Sequence, residues 1–299
     1  MRLLQPFLLA LLISPTIQAQ EADADSTGLP GDNFSLQGAL DLFKQAKDLE
    51  SFELALNAED QHVNNLDLDG DGQVDYVRVV DHRDGDAHAI VMQVAVSKDE
   101  AQDVAVIELE KNGRDSAAVQ IRGAEDLYGP DVMVEPYTED DAAAPTKGPA
   151  APALVRVRVW VNVWAWPCVT WIYGPTYVAW ASPWHWGFYP RWWRPWRPHP
   201  YRVFWGWQRP RVVVYRPVHV CRVARANVLY ASRARYAPRI RTATAPVIQR
   251  RAALRTAPHQ PVQRKEEIRR VPGNKVRGGG KARPAERAPR AKPARRMHR

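Results

Sequence analysis

The chain of 299 residues is long enough for one or two ordinary domains, and its formal net charge is +9. That total conceals a division, since residues 1–150 carry 10 Lys+Arg against 30 Asp+Glu, whereas residues 151–299 carry 32 against 3. A single uniform globular domain would rarely separate its charges in this way. The division therefore argues against one domain and for two parts with different partners.

The N-terminal residues have the features of a secretory signal peptide. Arg2 provides a short positive region, residues 3–17 are mostly apolar, and the small residue Ala19 precedes an acidic stretch. We therefore predict a signal peptide over 1–19, with an uncleaved N-terminal anchor as the alternative, and export to the periplasm or the extracellular space. No cysteine lies at this position, which excludes a lipoprotein signal. No later segment offers about 20 uninterrupted apolar residues, so no transmembrane helix is expected.

A polar stretch over 20–33, with two glycines and a proline, predicts a flexible leader. Helical periodicity begins after it. Ser35 is suited to cap a first helix, whose apolar residues from Leu36 to Phe43 recur at spacings of three and four. A second short helix is expected around residues 52–56.

Beyond Asp60 the apolar residues recur with a period of two, which predicts strands. Four runs are expected, and the dipeptides Asp84-Gly85 and Asn112-Gly113 are suited to the hairpin turns between them. We predict an α+β fold in which two short N-terminal helices pack on a four-stranded antiparallel meander. This acidic domain covers about residues 34–137 and is expected to fold by itself.

The most specific motif is the Asp-rich loop Asp67-Leu68-Asp69-Gly70-Asp71-Gly72-Gln73-Val74-Asp75. Its carboxylates alternate along the first half of the loop, and Gly72 permits a sharp turn. Calcium prefers six to eight oxygen ligands, and neighbouring carboxylates repel one another without a cation. The sequence therefore predicts a structural calcium site. The alternative is a solvated turn that binds no metal.

The loop departs from an EF-hand, because Arg78 stands where an EF-hand has its bidentate Glu and the flanking sequence is strand-like. It resembles instead the Asp-rich calcium loops of FG-GAP, VCBS and thrombospondin-type repeats. That resemblance covers about ten residues and occurs once. The ligands that it implies are Asp67, Asp69, Asp71, the carbonyl of Gln73, and Asp75.

An Ala/Pro/Asp-rich linker is expected over 138–153, after which the chain changes character. Valine alternates with Arg and Trp from Val155 to Val163, which predicts a strand. All twelve tryptophans lie between Trp160 and Trp207, among prolines that exclude long helices. We expect an irregular Trp-rich segment of strand and loop over 154–221.

Rings, Arg and Pro interleave most densely over residues 180–198. Arginine pairs with phosphate and carboxylate, and aromatic faces stack on sugars and nucleobases. This pattern favours binding to an anionic envelope polymer or a membrane surface, such as lipopolysaccharide, acidic polysaccharide or extracellular nucleic acid. The alternative is that the rings pack internally or against the acidic domain. The candidate contact residues are Arg191, Trp192, Trp193, Arg194, Trp196 and Arg197.

The basic tail over 222–299 has few large apolar residues and is expected to be disordered. A further interpretation follows from the charge division, namely that the basic half folds back onto the acidic half. The only cysteines, Cys168 and Cys221, could form a disulfide in an exported chain. The alternative is two unpaired thiols.

Several segments resemble a family of uncharacterised exported bacterial proteins of unknown function. They are the stretch from Phe34 to Pro136 with its Asp-rich loop and the run 102–108, and the later segments 182–184 and 192–196. The resemblance implies no known activity. The histidines are scattered without zinc-type spacing, and no nucleophile–base pair or small-molecule cofactor is indicated. We expect a non-enzymatic envelope protein, with a regulator or scaffold for a protein partner and an unrecognised enzyme as alternatives.

Overall fold

A computed structural model describes residues 26–143, 154–212 and 214–256. Three predicted regions lie outside the described residues. They are the signal peptide, residues 144–153 of the linker and residues 257–299 of the basic tail. The described helices are α1 (Leu36–Gln45), α2 (Leu49–Leu56), α3 (Glu125–Tyr128), α4 (Pro167–Ile172), α5 (Tyr201–Val212), α6 (Ala224–Ala231) and α7 (Pro238–Thr256), with 3₁₀ turns at Pro30–Asn33 and Glu59–Gln61. The described strands are β1 (Val77–Asp84), β2 (Ala87–Ala95), β3 (Ala101–Gly113), β4 (Ser116–Gly123), β5 (Met133–Ala143), β6 (Leu154–Trp160) and β7 (Tyr215–Val218).

The strands form one sheet in the order β1-β2-β3-β4-β5-β6, and β7 pairs with β5. All of these pairings are antiparallel. The prediction of a mixed helix–strand fold with an antiparallel sheet is confirmed. The predicted four-stranded sheet is too small, because β5 continues through Ala143 into the expected linker and both β6 and β7 pair with it. The strand predicted from Val155 corresponds to β6. The hairpin turns fall at residues 85–86 and 114–115, slightly later than expected.

Local sequence signals explain how the first helices begin. The Ser35 hydroxyl accepts a hydrogen bond from the Gly38 amide at 2.9 Å and so caps α1. Asp48 and Ser51 form a reciprocal capping box at the start of α2. The apolar faces of both helices, which include Phe43 and Phe52, then pack into the main core beneath the sheet.

The sheet is covered on both faces, and not only by the two predicted N-terminal helices. β2 is buried along nearly its whole length, and so is most of β3. On the face opposite the main core, Val91 and Val106 pack against Leu229 and Tyr230 of α6. The prediction of disorder from residue 222 is therefore wrong for residues 222–256, because α6 packs on the sheet and α7 packs against α3. The remainder of that predicted tail, 257–299, is not among the described residues.

The described residues all belong to one compact unit. No domain boundary separates an acidic domain from a Trp-rich segment, since side chains from both halves share the main core. Val163, Trp166, Val169 and Ile172 of the second half are buried in it beside Phe43. In the described ranges, no helix has both the length and the apolar character that crossing a bilayer requires.

Candidate metal centre and the aromatic surface beside it

The Asp-rich loop connects the region of α2 to β1 and draws three carboxylates together. Ligand oxygens of Asp67, Asp69 and Asp71 all lie within 4.8 Å of one another. Gly70 and Gly72 adopt φ of +81° and +83°, a left-handed conformation that favours glycine. The loop is thus shaped so that alternate side chains converge on a common point.

Backbone amides of the loop hold these carboxylates in place. Asp67 accepts hydrogen bonds from the amides of Gly70 at 2.8 Å and Gly72 at 3.0 Å. The Asp71 carboxylate accepts from the backbone amide of Gln73 at 2.8 Å and from its side-chain amide at 3.3 Å. Burial, with the neighbouring carboxylates of Asp71 and Asp67, raises the pKa of Asp69 above its ordinary value. A bound cation would relieve this repulsion.

Asp75 is the innermost of the predicted ligands. It is only 9% exposed, and its carboxylate accepts a hydrogen bond from the Leu68 amide across the loop. Burial, and secondarily the charges of Asp69 and Asp67, raise its pKa to about 7. Its carboxylate is not part of the group of three that converges within 4.8 Å. Asp75 therefore closes the loop internally and is more buried than the three converging carboxylates.

The Trp-rich segment runs directly against this loop. The Val74 amide donates to the carbonyl of Trp196 at 2.7 Å. Trp196 and Arg197 face Asp71 and Gly72 across an open cleft of about 650 Å³. Predicted polymer-contacting residues and predicted metal ligands are thus neighbours, although they are separated by more than a hundred positions in the sequence.

The six predicted polymer-contacting residues divide between the interior and the surface. Trp193 is 8% exposed and packs edge-on against Tyr76, with ring centroids 5.2 Å apart. Trp192 is 48% exposed. Arg194 donates to the carbonyl of Trp193 at 2.8 Å. The segment therefore uses one tryptophan as an internal anchor while others remain on the surface. The exposed candidates are Arg191, Trp192, Arg194 and Arg197, and Trp196 is partly buried.

A buried carboxylate fastens the middle of the Trp-rich segment, around Ser182, to the sheet edge. Glu53 of α2 accepts hydrogen bonds from Tyr76 at 2.8 Å, the Val79 amide at 2.8 Å and the Ser182 hydroxyl at 2.7 Å. The backbone continues this attachment, since the Asp81 amide donates to the carbonyl of Trp180 at 2.8 Å. Burial raises the pKa of Glu53. Nothing in the sequence distinguishes Glu53 from an ordinary helix glutamate, so its role was missed.

Arginines of the second half reach carboxylates on the sheet. The buried Glu135 carboxylate forms ion pairs with Arg216 at 3.1 Å and with Arg222 at 3.0 Å. Arg225 contacts the buried Glu110 of β3 at 3.2 Å. The two halves are therefore joined by ion pairs within one fold.

The two cysteines do not form the disulfide that the sequence allowed. Both thiols are unpaired, with Cys168 buried and Cys221 exposed. Burial raises the pKa of the Cys168 thiol, so it is held in its neutral form as part of the core.

A buried polar cluster lies between β1 and the loop after α4. His88 Nδ1 is 2.8 Å from Asp81, and the Tyr177 hydroxyl donates to the same carboxylate oxygen at 2.6 Å. His88 is fully buried. Because the side chains of His88 and Asp81 are sealed from solvent, the cluster is suited to holding Tyr177 against the sheet and not to contacting a substrate.

Comparisons with protein-family models, curated proteins and solved structures found no match for this chain.

Proposed function

We propose that the chain is an exported, non-enzymatic, envelope-associated protein that binds an anionic polymer or membrane surface. In this proposal a calcium-stabilised loop fixes the Trp-rich segment that carries the contacts. One observation supports it above the others, namely the hydrogen bond from Val74 in the loop to Trp196 in that segment. Ordering of the loop would therefore be transmitted to the aromatic surface.

Calcium suits the loop because every converging ligand is a carboxylate oxygen. The first protein ligands would be the carboxylates of Asp67, Asp69 and Asp71. The remaining protein ligands would be Asp75 and the Gln73 carbonyl. Arg78 stands at position 12 of the loop, where an EF-hand has a carboxylate ligand. Its side chain instead donates a hydrogen bond to the amide oxygen of Gln93. We therefore propose a weak, structural site with a Kd of roughly 10⁻⁴ to 10⁻³ M, as in extracellular modules.

The exposed part of the Trp-rich segment supplies the proposed contact surface. Trp192 and Phe188 are 48% and 54% exposed. Within the described residues, the guanidinium groups of Arg191 and Arg197 form no hydrogen bond or ion pair, so their charge remains available to phosphate or carboxylate. Lipopolysaccharide and acidic polysaccharide both offer such groups together with sugar faces, and extracellular nucleic acid offers phosphates and bases.

The test is retention of the full chain on immobilised lipopolysaccharide, in about 1 mM calcium and in chelator. We expect the Arg191→Gln/Arg197→Gln double variant to bind about tenfold more weakly than the parent, since each lost charge removes a charge-assisted contact. Arg114→Gln alters an exposed arginine of the β3–β4 hairpin and serves as the matched control. Equal retention of the double variant, the control and the parent would rule out the proposed surface.

A regulator or scaffold for a specific protein partner is the second candidate function. It is favoured by an apolar cavity of about 530 Å³ whose lining includes Phe34, Met133, Trp205 and Val218. A cavity of this character would accept an apolar side chain of a partner. Recovery of one dominant protein, insensitive to about 0.5 M salt, would favour this function over polymer binding.

A further inference from the structure

A second cleft, of about 550 Å³, is built from three regions that are distant in sequence. One wall comes from the sheet, with Arg78 of β1 and the β2–β3 turn around Lys98. The Trp-rich segment contributes Trp186, and the basic segment contributes Arg235 and Tyr236. None of the lining residues belongs to the Asp-rich loop. The cleft exists only because the acidic and basic halves fold together.

Two guanidinium groups dominate the cleft. The Arg78 side chain is partly buried, and Nε donates to the neutral amide oxygen of Gln93 at 2.9 Å. Arg235 is fixed by its backbone, whose amide donates to Asp103 at 2.7 Å. Among the described residues, the Arg235 side chain has no hydrogen-bond or ion-pair partner. Burial and then the charge of Arg235 lower the pKa of Arg78, as expected for like charges that face a common space.

The acidic side chains at the rim already have cationic neighbours. Asp99 lies 3.7 Å from Lys98, and Glu100 lies 3.8 Å from Arg239 outside the cleft. The lining thus has three arginine and lysine side chains against two acidic ones, with His185 counted as neutral. This excess of one positive charge complements a ligand unit that carries a single negative charge.

Aromatic rings provide flat apolar walls at the same place. Trp186 is 37% exposed and Tyr236 is 50% exposed. The guanidinium of Arg241 lies 3.4 Å from the Tyr236 ring centroid and so supports that ring. A sugar can stack on these exposed rings. The neighbouring arginines can donate hydrogen bonds to it, and the neighbouring carboxylates can accept hydrogen bonds from its hydroxyl groups.

We propose that this cleft binds an acidic saccharide, with Arg78 and Arg235 holding a sugar carboxylate and Trp186 stacking on the sugar face. The proposal rests on the proposed function, because it gives the anionic polymer a chemical class and a site. Asp99 and Glu100 at the rim accept hydrogen bonds from sugar hydroxyls. The same two carboxylates would repel the closely spaced phosphates of a nucleic acid.

The test is calorimetric titration of the full chain with trigalacturonate, using Arg235→Gln and Trp186→Ala. Arg235 makes its structural contacts through its backbone, so the glutamine variant is expected to fold. We expect each variant to bind about tenfold more weakly, as for loss of one charge-assisted bond or one stacked ring. Arg233→Gln, an exposed arginine two positions away that is not in this cleft, is expected to stay within about twofold of the parent.

Neutral galactotriose and a single-stranded oligothymidylate serve as competing probes. The saccharide proposal is overturned if galactotriose binds as well as trigalacturonate, if the oligothymidylate binds more tightly through Arg235, or if both cleft variants bind like the parent. Failure of the parent to bind trigalacturonate, with lipopolysaccharide retention intact, overturns the cleft proposal alone. Loss of all anionic-polymer binding overturns the proposed function as well.

Discussion

The acidic first half and the basic second half differ most in what each contributes to the same sheet. The first half supplies β1 to β5, α1 to α3 and the buried carboxylates, and the second half adds β6, β7, α4 to α7 and the arginines that pair with those carboxylates. Glu135 shows the relation directly, because its 2% exposed side chain is neutralised by Arg216 and Arg222. Opposite charge in two parts of a chain can therefore indicate complementary parts of one fold.

The largest effect is expected from separating the halves. A fragment covering residues 26–143 loses the buried residues Val163, Val169 and Ile172 from the main core and α6 from the other face of the sheet. We expect it to show no cooperative unfolding transition by circular dichroism, against the sequence-based expectation that this half folds alone. A chain that ends at Ala257 retains the whole compact unit and is expected to unfold cooperatively. Cooperative melting of the short fragment would restore the two-part description.

The sequence predicted those features of the fold that depend on local signals. The Ser35 cap, the alternation around Val77 and the convergence of the loop carboxylates are all encoded within short stretches. Elements that need a distant surface were missed. α6 is Ala-rich and becomes a helix with a buried face because Val91 and Val106 lie beneath it. The sequence pattern predicts that Trp193 lies on the surface, whereas in the structure it packs against Tyr76.

A smaller loss of stability is expected when the carboxylate shared by two cross-half ion pairs is removed. Glu135→Gln leaves Arg216 and Arg222 without their shared carboxylate. We expect a decrease of about 2 to 3 kcal/mol in the free energy of unfolding measured with urea, below that of a fully buried pair because the arginines are partly solvated. Glu125→Gln, on the exposed side of α3, is expected to change this free energy by less than about 0.5 kcal/mol. If the two substitutions change the free energy of unfolding by similar amounts, the cross-half ion pairs do not contribute to stability.

A pH-dependent effect is expected at Glu53, where the Trp-rich segment is attached. Its pKa in the folded protein is raised above the ordinary 4.5 by burial, so protonation favours the folded state. Relative to Glu53→Gln, the parent is expected to lose stability as the pH rises from the ordinary pKa through the raised one. Urea unfolding at about pH 4 and about pH 7.5 measures this difference, which amounts to roughly 1.4 kcal/mol per unit of pKa change. If the stability of the parent, measured relative to Glu53→Gln, stays constant or increases as the pH rises, the raised pKa is contradicted.

The central claim is that the cation loop and the Trp-rich segment are ordered together. Hydrogen–deuterium exchange of the full chain, with calcium and with chelator, tests it most directly, because the Val74 amide is bonded to Trp196. The account predicts that calcium slows exchange both in residues 67–75 and in residues 193–197, and that Asp71→Ala abolishes both effects. Asp115→Asn, an exposed carboxylate outside the loop, is expected to retain them. Protection that is absent, confined to the loop, or unchanged in Asp71→Ala would contradict the account.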